Sequence, residues 1–172
     1  MTSGSVEPPV LVLGVGNALL GDDGAGLLVL GELARSADDW GGEVEFLDGG
    51  TQGLGLLEPI AGRRALLVLD AVALGAAPGA VHILHGWNHA VLRAGTAHES
   101  NVSELLQISA LLGECPKRIA IVGIEPARIA TGMGVSEPVA AAMGQAVEAA
   151  RREIKDMLES VAHPGSSTGP QA

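Results

Sequence analysis

Hydrophobic positions along this chain fall into short unbroken runs, separated by longer stretches in which apolar residues recur about every 3.6 positions. Val10–Val15 (VLVLGV), residues 65–69 (ALLVL) and Arg118–Ile124 (RIAIVGI) carry almost no polar alternation, as strands covered on both faces require. Residues 43–47 predict another strand, running into a turn at Asp48-Gly49-Gly50-Thr51. Pro78-Gly79 turns the chain into a short strand over residues 80–84. Its brevity and hairpin-like connection suggest an edge strand, antiparallel to the rest.

The intervening stretches read as helices. Asp22 and Asp23 stand where a side-chain oxygen caps a helix, and Leu27, Leu30 and Ala34, with Leu28 and Leu33 beside them, give that helix a buried face. Residues 54–60 predict a short helix limited by Pro59. Asn101 and Glu104 resemble a capping box before Leu105, Leu106, Ile108 and Leu112, with Gly113 as the stop. Ser136 is placed to cap a long helix with Pro138 in its first turn and apolar Val139, Met143, Val147, Ala150, Ile154, Met157 and Val161. Strands alternating with helices predict an α/β fold: a five-stranded, mostly parallel open sheet flanked by helices on both faces. Residues 1–162 read as one domain and the polar, breaker-rich residues 163–172 as a disordered tail.

Composition narrows the function classes. The 172 residues, 47% of them apolar with two Trp, one Phe and no Tyr, suffice for a single aliphatic core. A net charge of −10 argues against a nucleic-acid or anionic-membrane partner, since either would repel such a surface. No stretch approaches the roughly 20 apolar residues that insert across a bilayer. The amino terminus has no basic residue ahead of its apolar segment, so it does not read as a secretory signal. The single cysteine, Cys115, fits a reducing compartment, and the expected location is cytoplasmic.

Ligands of open α/β sheets collect at the carboxyl ends of the strands, where strand order reverses. Asp22 and Asp23 follow the first strand, Asp48 the second, and Asp70 ends the third. If the order is 2-1-3, Asp23 and Asp70 flank the switch point, and a divalent cation would relieve their repulsion. Taken singly, each reads more readily as a helix cap or a turn residue. His98, just ahead of the helix near Asn101, could add an imidazole to make a nickel or zinc set, or it could be an exposed loop histidine. His82, His85 and His89 read as surface. Gly14-Val15-Gly16 opens like a dinucleotide fingerprint, but its third glycine would fall on Leu19 and the nearby acids would repel a pyrophosphate. Cys115, next to Glu114, lacks the surroundings of a nucleophile, and Ser136 fits no nucleophile elbow.

The run from Gly14 to Gly24 (GVGNALLGDDG) resembles the opening motif of the hydrogenase maturation endopeptidases, the nickel-dependent family that trims the large subunit of nickel-iron hydrogenases. Further blocks fit in order: Asp48-Gly49-Gly50-Thr51, Asp70-Ala71-Val72 with Pro78-Gly79, His98 before a leucine-rich helix, and Gly123-Ile124-Glu125-Pro126 with Gly134-Val135-Ser136. The resemblance runs over residues 10–154. It implies a single peptidase domain and a metal site of Asp23, Asp70 and His98, the three that the sheet-edge reasoning selects. The family carries Glu at the first of these, so Asp23 has a shorter arm, and Ala73 stands where many relatives carry another acid. The implied activity is removal of a carboxy-terminal extension from a hydrogenase large-subunit precursor once nickel, carried by that precursor, has been inserted. Asp48 is the candidate to position substrate or water, with a turn role as its alternative. A non-catalytic nickel-binding maturation chaperone of the same fold is the competing expectation.

Overall fold

A computed structural model describes residues 7–86 and 99–163. In chain order they form β1 (Val10–Val15), α1 (Ala25–Ala34), β2 (Val44–Gly50), α2 (Leu57–Ile60), β3 (Ala65–Ala71), β4 (Val81–His85), α3 (Glu99–Leu111), β5 (Arg118–Ile124) and α4 (Glu137–Ala162). Three short 3-10 turns, at Asp22–Gly24, Ala37–Trp40 and Gly53–Leu56, join them. The five strands make one sheet in the order β2-β1-β3-β5-β4, parallel except for β4 against β5. The expected α/β architecture is the one found, and the order reverses between β1 and β3.

Strand alternation sorts the core into two layers. Val10 and Val12 of β1, Leu67 and Leu69 of β3 and Val122 and Ile124 of β5 pack beneath α1 and α4. Leu11 and Leu13, Leu66 and Val68, and Ile119 and Ile121 face the other way, against α2 and α3. No helix among the described residues is long and apolar enough to cross a membrane.

Several local expectations differ from the structure. β2 runs through Gly50, held parallel to β1 with a register shift at Gly14/Val15, and the turn expected at Asp48–Thr51 comes one residue later, where the Gln52 N–H bonds the Gly49 carbonyl at 3.0 Å and Gly50 takes a φ of 46°. The inward face of α1 is Ala25, Gly26, Val29, Leu30 and Leu33, whereas Leu28 is exposed. Leu112 is also exposed, beyond the end of α3. The edge strand β4 is antiparallel, yet not through a hairpin with β3: the chain passes over the end of β5 and returns on its far side. Residues 164–172, expected as a tail, lie outside the described residues.

Candidate active site

Asp70 is the penultimate residue of β3, paired in register with Gly123 of β5. It shares a face with Leu66 and Val68, so its carboxylate points toward the α2/α3 layer. It is 1% exposed. Its Oδ1 accepts the N–H of Ala71 at 2.7 Å, and its Oδ2 has no hydrogen-bond partner among the described residues.

Asp23 reaches the same edge from the turn after β1. That turn packs on β3, and two glycines allow the approach. A side chain at Gly26 would strike the Leu69 carbonyl and the Asp70 backbone nitrogen, and one at Gly16 would strike the Asp23 carbonyl. Asp23 is fully buried, and its Oδ2 accepts the Asn17 N–H at 2.7 Å. Burial pushes the Asp70 carboxyl well above its ordinary range, the Ala71 N–H opposes this, and the charge of Asp23 adds to the rise. The structure thus brings together the two acids that the strand-order reasoning paired.

His98 lies outside the described residues, directly before α3. The first turns of α3 do sit at this edge: Val102 and Leu105 line a small apolar cavity with Val15, Gly50, Thr51, Gly53 and Leu56. Among the described residues alone, no group of three His, Cys, Asp or Glu side chains is placed to hold a metal ion. The two oxygen-donor side chains suit a divalent cation, because Asp70 has a buried oxygen with no hydrogen-bond partner among the described residues and Asp23 lies close enough for its charge to act on it. Asp48 stands at the same carboxyl edge on the outer strand β2. Its exposed carboxylate accepts the Gly50 N–H at 3.0 Å, the bond expected of a turn-stabilising acid.

Asp22 and Asp23 were both candidate helix caps, and neither side chain caps α1. Asp22 instead holds the β5–α4 connection: its Oδ2 accepts the N–H groups of Ala127 and Arg128 at 2.8 and 3.0 Å and the Ser136 hydroxyl at 2.9 Å, while Oδ1 accepts the Ser136 N–H at 2.6 Å. Burial opposes its charge, but the donors of Ser136, Arg128 and Ala127 together hold its carboxyl below the ordinary range. Ser136 therefore starts α4 without capping it by its side chain.

One organising acid was missed. Glu125, just past β5 and 5% exposed, accepts the N–H of Leu74 at 2.9 Å, of Gly75 at 3.0 Å, and bonds His82 Nε2 at 2.8 Å. It clamps the loop that leaves Asp70. His82 is correspondingly no surface residue, although His85, which meets Glu153 at 3.0 Å, is largely exposed. The signal was available: an antiparallel β4 beside β5 puts His82 opposite Gly123, two residues from Glu125. Cys115 is half-buried, and burial pushes its thiol up against a weaker opposing bond from Ser109, so it is no activated nucleophile.

The family model described as hydrogenase maturation protease matches residues 28–153. The hydrogenase 2 maturation protease of Escherichia coli strain K12 is 35% identical over 144 residues, 81% of this chain and 86% of that protein. The hydrogenase expression/formation protein HupD of Thiocapsa roseopersicina is 32% identical over 128 residues, 72% of this chain, and the chain spans 57% of that relative's length. Among solved structures, the hydrogenase maturating endopeptidase HybD from Escherichia coli superposes with a TM-score of 0.75 at 30% identity, covering 86% of this chain and 92% of that one.

Proposed function

The chain belongs to the hydrogenase maturation protease family, and on that premise we propose that it is an endopeptidase that removes the carboxy-terminal extension of a nickel-iron hydrogenase large-subunit precursor after nickel insertion. Asp23 and Asp70, with His98, engage the nickel that the precursor carries. The observation that supports this most is the buried Asp70 carboxylate, which has an oxygen without a hydrogen-bond partner among the described residues and the charge of Asp23 acting on it. A divalent ion held by the substrate would supply the missing positive charge and bring the adjoining peptide to this edge.

The peptide bond is cleaved by direct attack of water. Cys115 is a suppressed thiol, and Ser136 spends its hydroxyl on Asp22. Asp48 orients substrate or water at the outer side of the edge, its exposed carboxylate leaving one oxygen beyond the bond to Gly50. The protein works in the cytoplasm, where a single thiol stays reduced.

Incubation with nickel-loaded precursor, followed by mass measurement, tests this. Wild-type protein should release the extension, and Asp70→Asn and His98→Ala should leave the precursor at full length. Wild-type rates from either variant would remove the assigned residues from the site. Metal binding without any change in precursor length would favour the nickel-binding chaperone instead.

A further inference from the structure

We infer that the paired loops 17–21 and 127–135 form a preformed ridge that docks an apolar segment of the precursor beside the scissile bond; this rests on the proposed function. The two loops are joined by backbone bridges, Leu20 to Gly132 and Gly21 to Ile129. The Gly21 N–H bonds the Gly132 carbonyl, and the Gly132 N–H bonds the Leu19 carbonyl, each at 2.9 Å. Asp22 fastens the second loop from below through its bonds to Ala127, Arg128 and Ser136. The ridge is therefore ordered before any partner arrives, which lowers the entropy lost on binding.

Its tip is apolar and open to solvent. Leu19 is 61% exposed, Ile129 40% and Met133 88%. In a chain of net charge −10, these two loops carry one ionisable residue, the cation Arg128. That excludes a basic partner segment as the best fit and selects an apolar stretch with an acidic group opposite Arg128. The position points to the source: Leu19 lies four residues before Asp23, and both loops follow the carboxyl ends of β1 and β5, so the ridge stands at the same sheet edge as the acids assigned to the precursor's metal. Exposed methionine and leucine beside a functional edge mark an adaptable peptide-binding surface.

Leu111 supplies an internal control. It is as exposed as Met133, at 87%, but α3 delivers it to the opposite edge of the sheet, where the chain enters β5. Met133→Asp should raise KM for nickel-loaded precursor by about tenfold with kcat retained, the loss of one apolar anchor. Leu111→Asp should match wild type. A photo-crosslinker installed at position 133 should capture the precursor, and one at position 111 should not. Equal KM for the two variants, or no crosslink from 133, would overturn the ridge. Uncut precursor in the wild-type reaction together with a crosslink from 133 would overturn the protease reading and leave the ridge standing.

Discussion

Replacing Asp22 by asparagine should cost stability out of proportion to the single atom changed. The Asp22 carboxylate is 1% exposed and accepts four hydrogen bonds, three at Oδ2 and one at Oδ1. The amide oxygen can take the place of only one of these atoms. With it at Oδ2, the new NH2 faces the Ser136 N–H, donor against donor, and a charge-assisted bond worth about 1.5–3 kcal/mol is lost. The three surviving bonds become neutral, at about half their former strength. These losses come to about 4–7 kcal/mol, and the burial cost that a neutral amide no longer bears offsets part of them, which leaves a net loss of a few kcal/mol out of the roughly 5–15 kcal/mol that holds a domain together. Urea unfolding followed by circular dichroism should show the midpoint falling with an unchanged m-value. Asp38→Asn, on an exposed acid of a 3-10 turn, serves as control and should stay within about 0.5 kcal/mol of wild type. A loss below about 1 kcal/mol for Asp22→Asn would refute the claim that this acid holds the β5–α4 connection.

Asp70→Asn carries the opposite sign. It removes a carboxyl that burial and the neighbouring Asp23 make costly to ionise, so the metal-free variant should gain on wild type as pH rises, by about 1–3 kcal/mol where Asp70 is ionised, while processing is lost; urea titrations at several pH values check it, and a difference that does not grow with pH would contradict the repulsion. Glu125 governs the acid limb of stability. Burial works against its charge, but the donors of Leu74, His82, Gly75 and Ala76 outweigh burial and hold its carboxyl below the ordinary range. A carboxyl depressed in the folded state contributes fully above its unfolded pKa of about 4.3, and that contribution disappears as pH falls through the lower folded value. Melting temperature should therefore drop more steeply below about pH 4.3 in wild type than in Glu125→Gln, and parallel curves would show that Glu125 contributes nothing there.

The strands covered on both faces were the most legible elements. β1 and β5 coincide with their expected runs because, Arg118 apart, such a strand has no polar position to blur its ends. α1 was legible as a helix but not in its facing. With Leu27, Leu28, Val29, Leu30 and Leu33 all apolar, periodicity leaves several faces open, and the close approach of Gly26 to β3 decides which one turns inward. The glycines after Asp48 carried a true local preference for turning. Parallel pairing with β1, a long-range interaction, extended β2 to Gly50 and moved the turn one residue on, to Gly49–Gln52. The antiparallel direction of β4 was anticipated on a local ground, the Pro78-Gly79 turn, although its cause is the choice of β5 as neighbour.

The site shows where local reading stops. Asp23 and Asp70 were paired from strand order alone, because parallel topology brings the ends of β1 and β3 together whatever lies between them. Asp22 could not be told from Asp23 by any local signal, since its donors are 105 to 114 residues away in the chain. The same holds for Glu125, whose partners at Leu74 and Gly75 lie about fifty residues back. All of these acids are buried, so burial does not separate scaffold from chemistry. The supply of donors does. Asp22 and Glu125 each gather several and are held below the ordinary carboxyl range as fasteners, while Asp70 has, among the described residues, one from its own neighbour and the charge of Asp23 beside it. On the proposed function, the acid short of donors among the described residues is the one that the precursor's cation would complete.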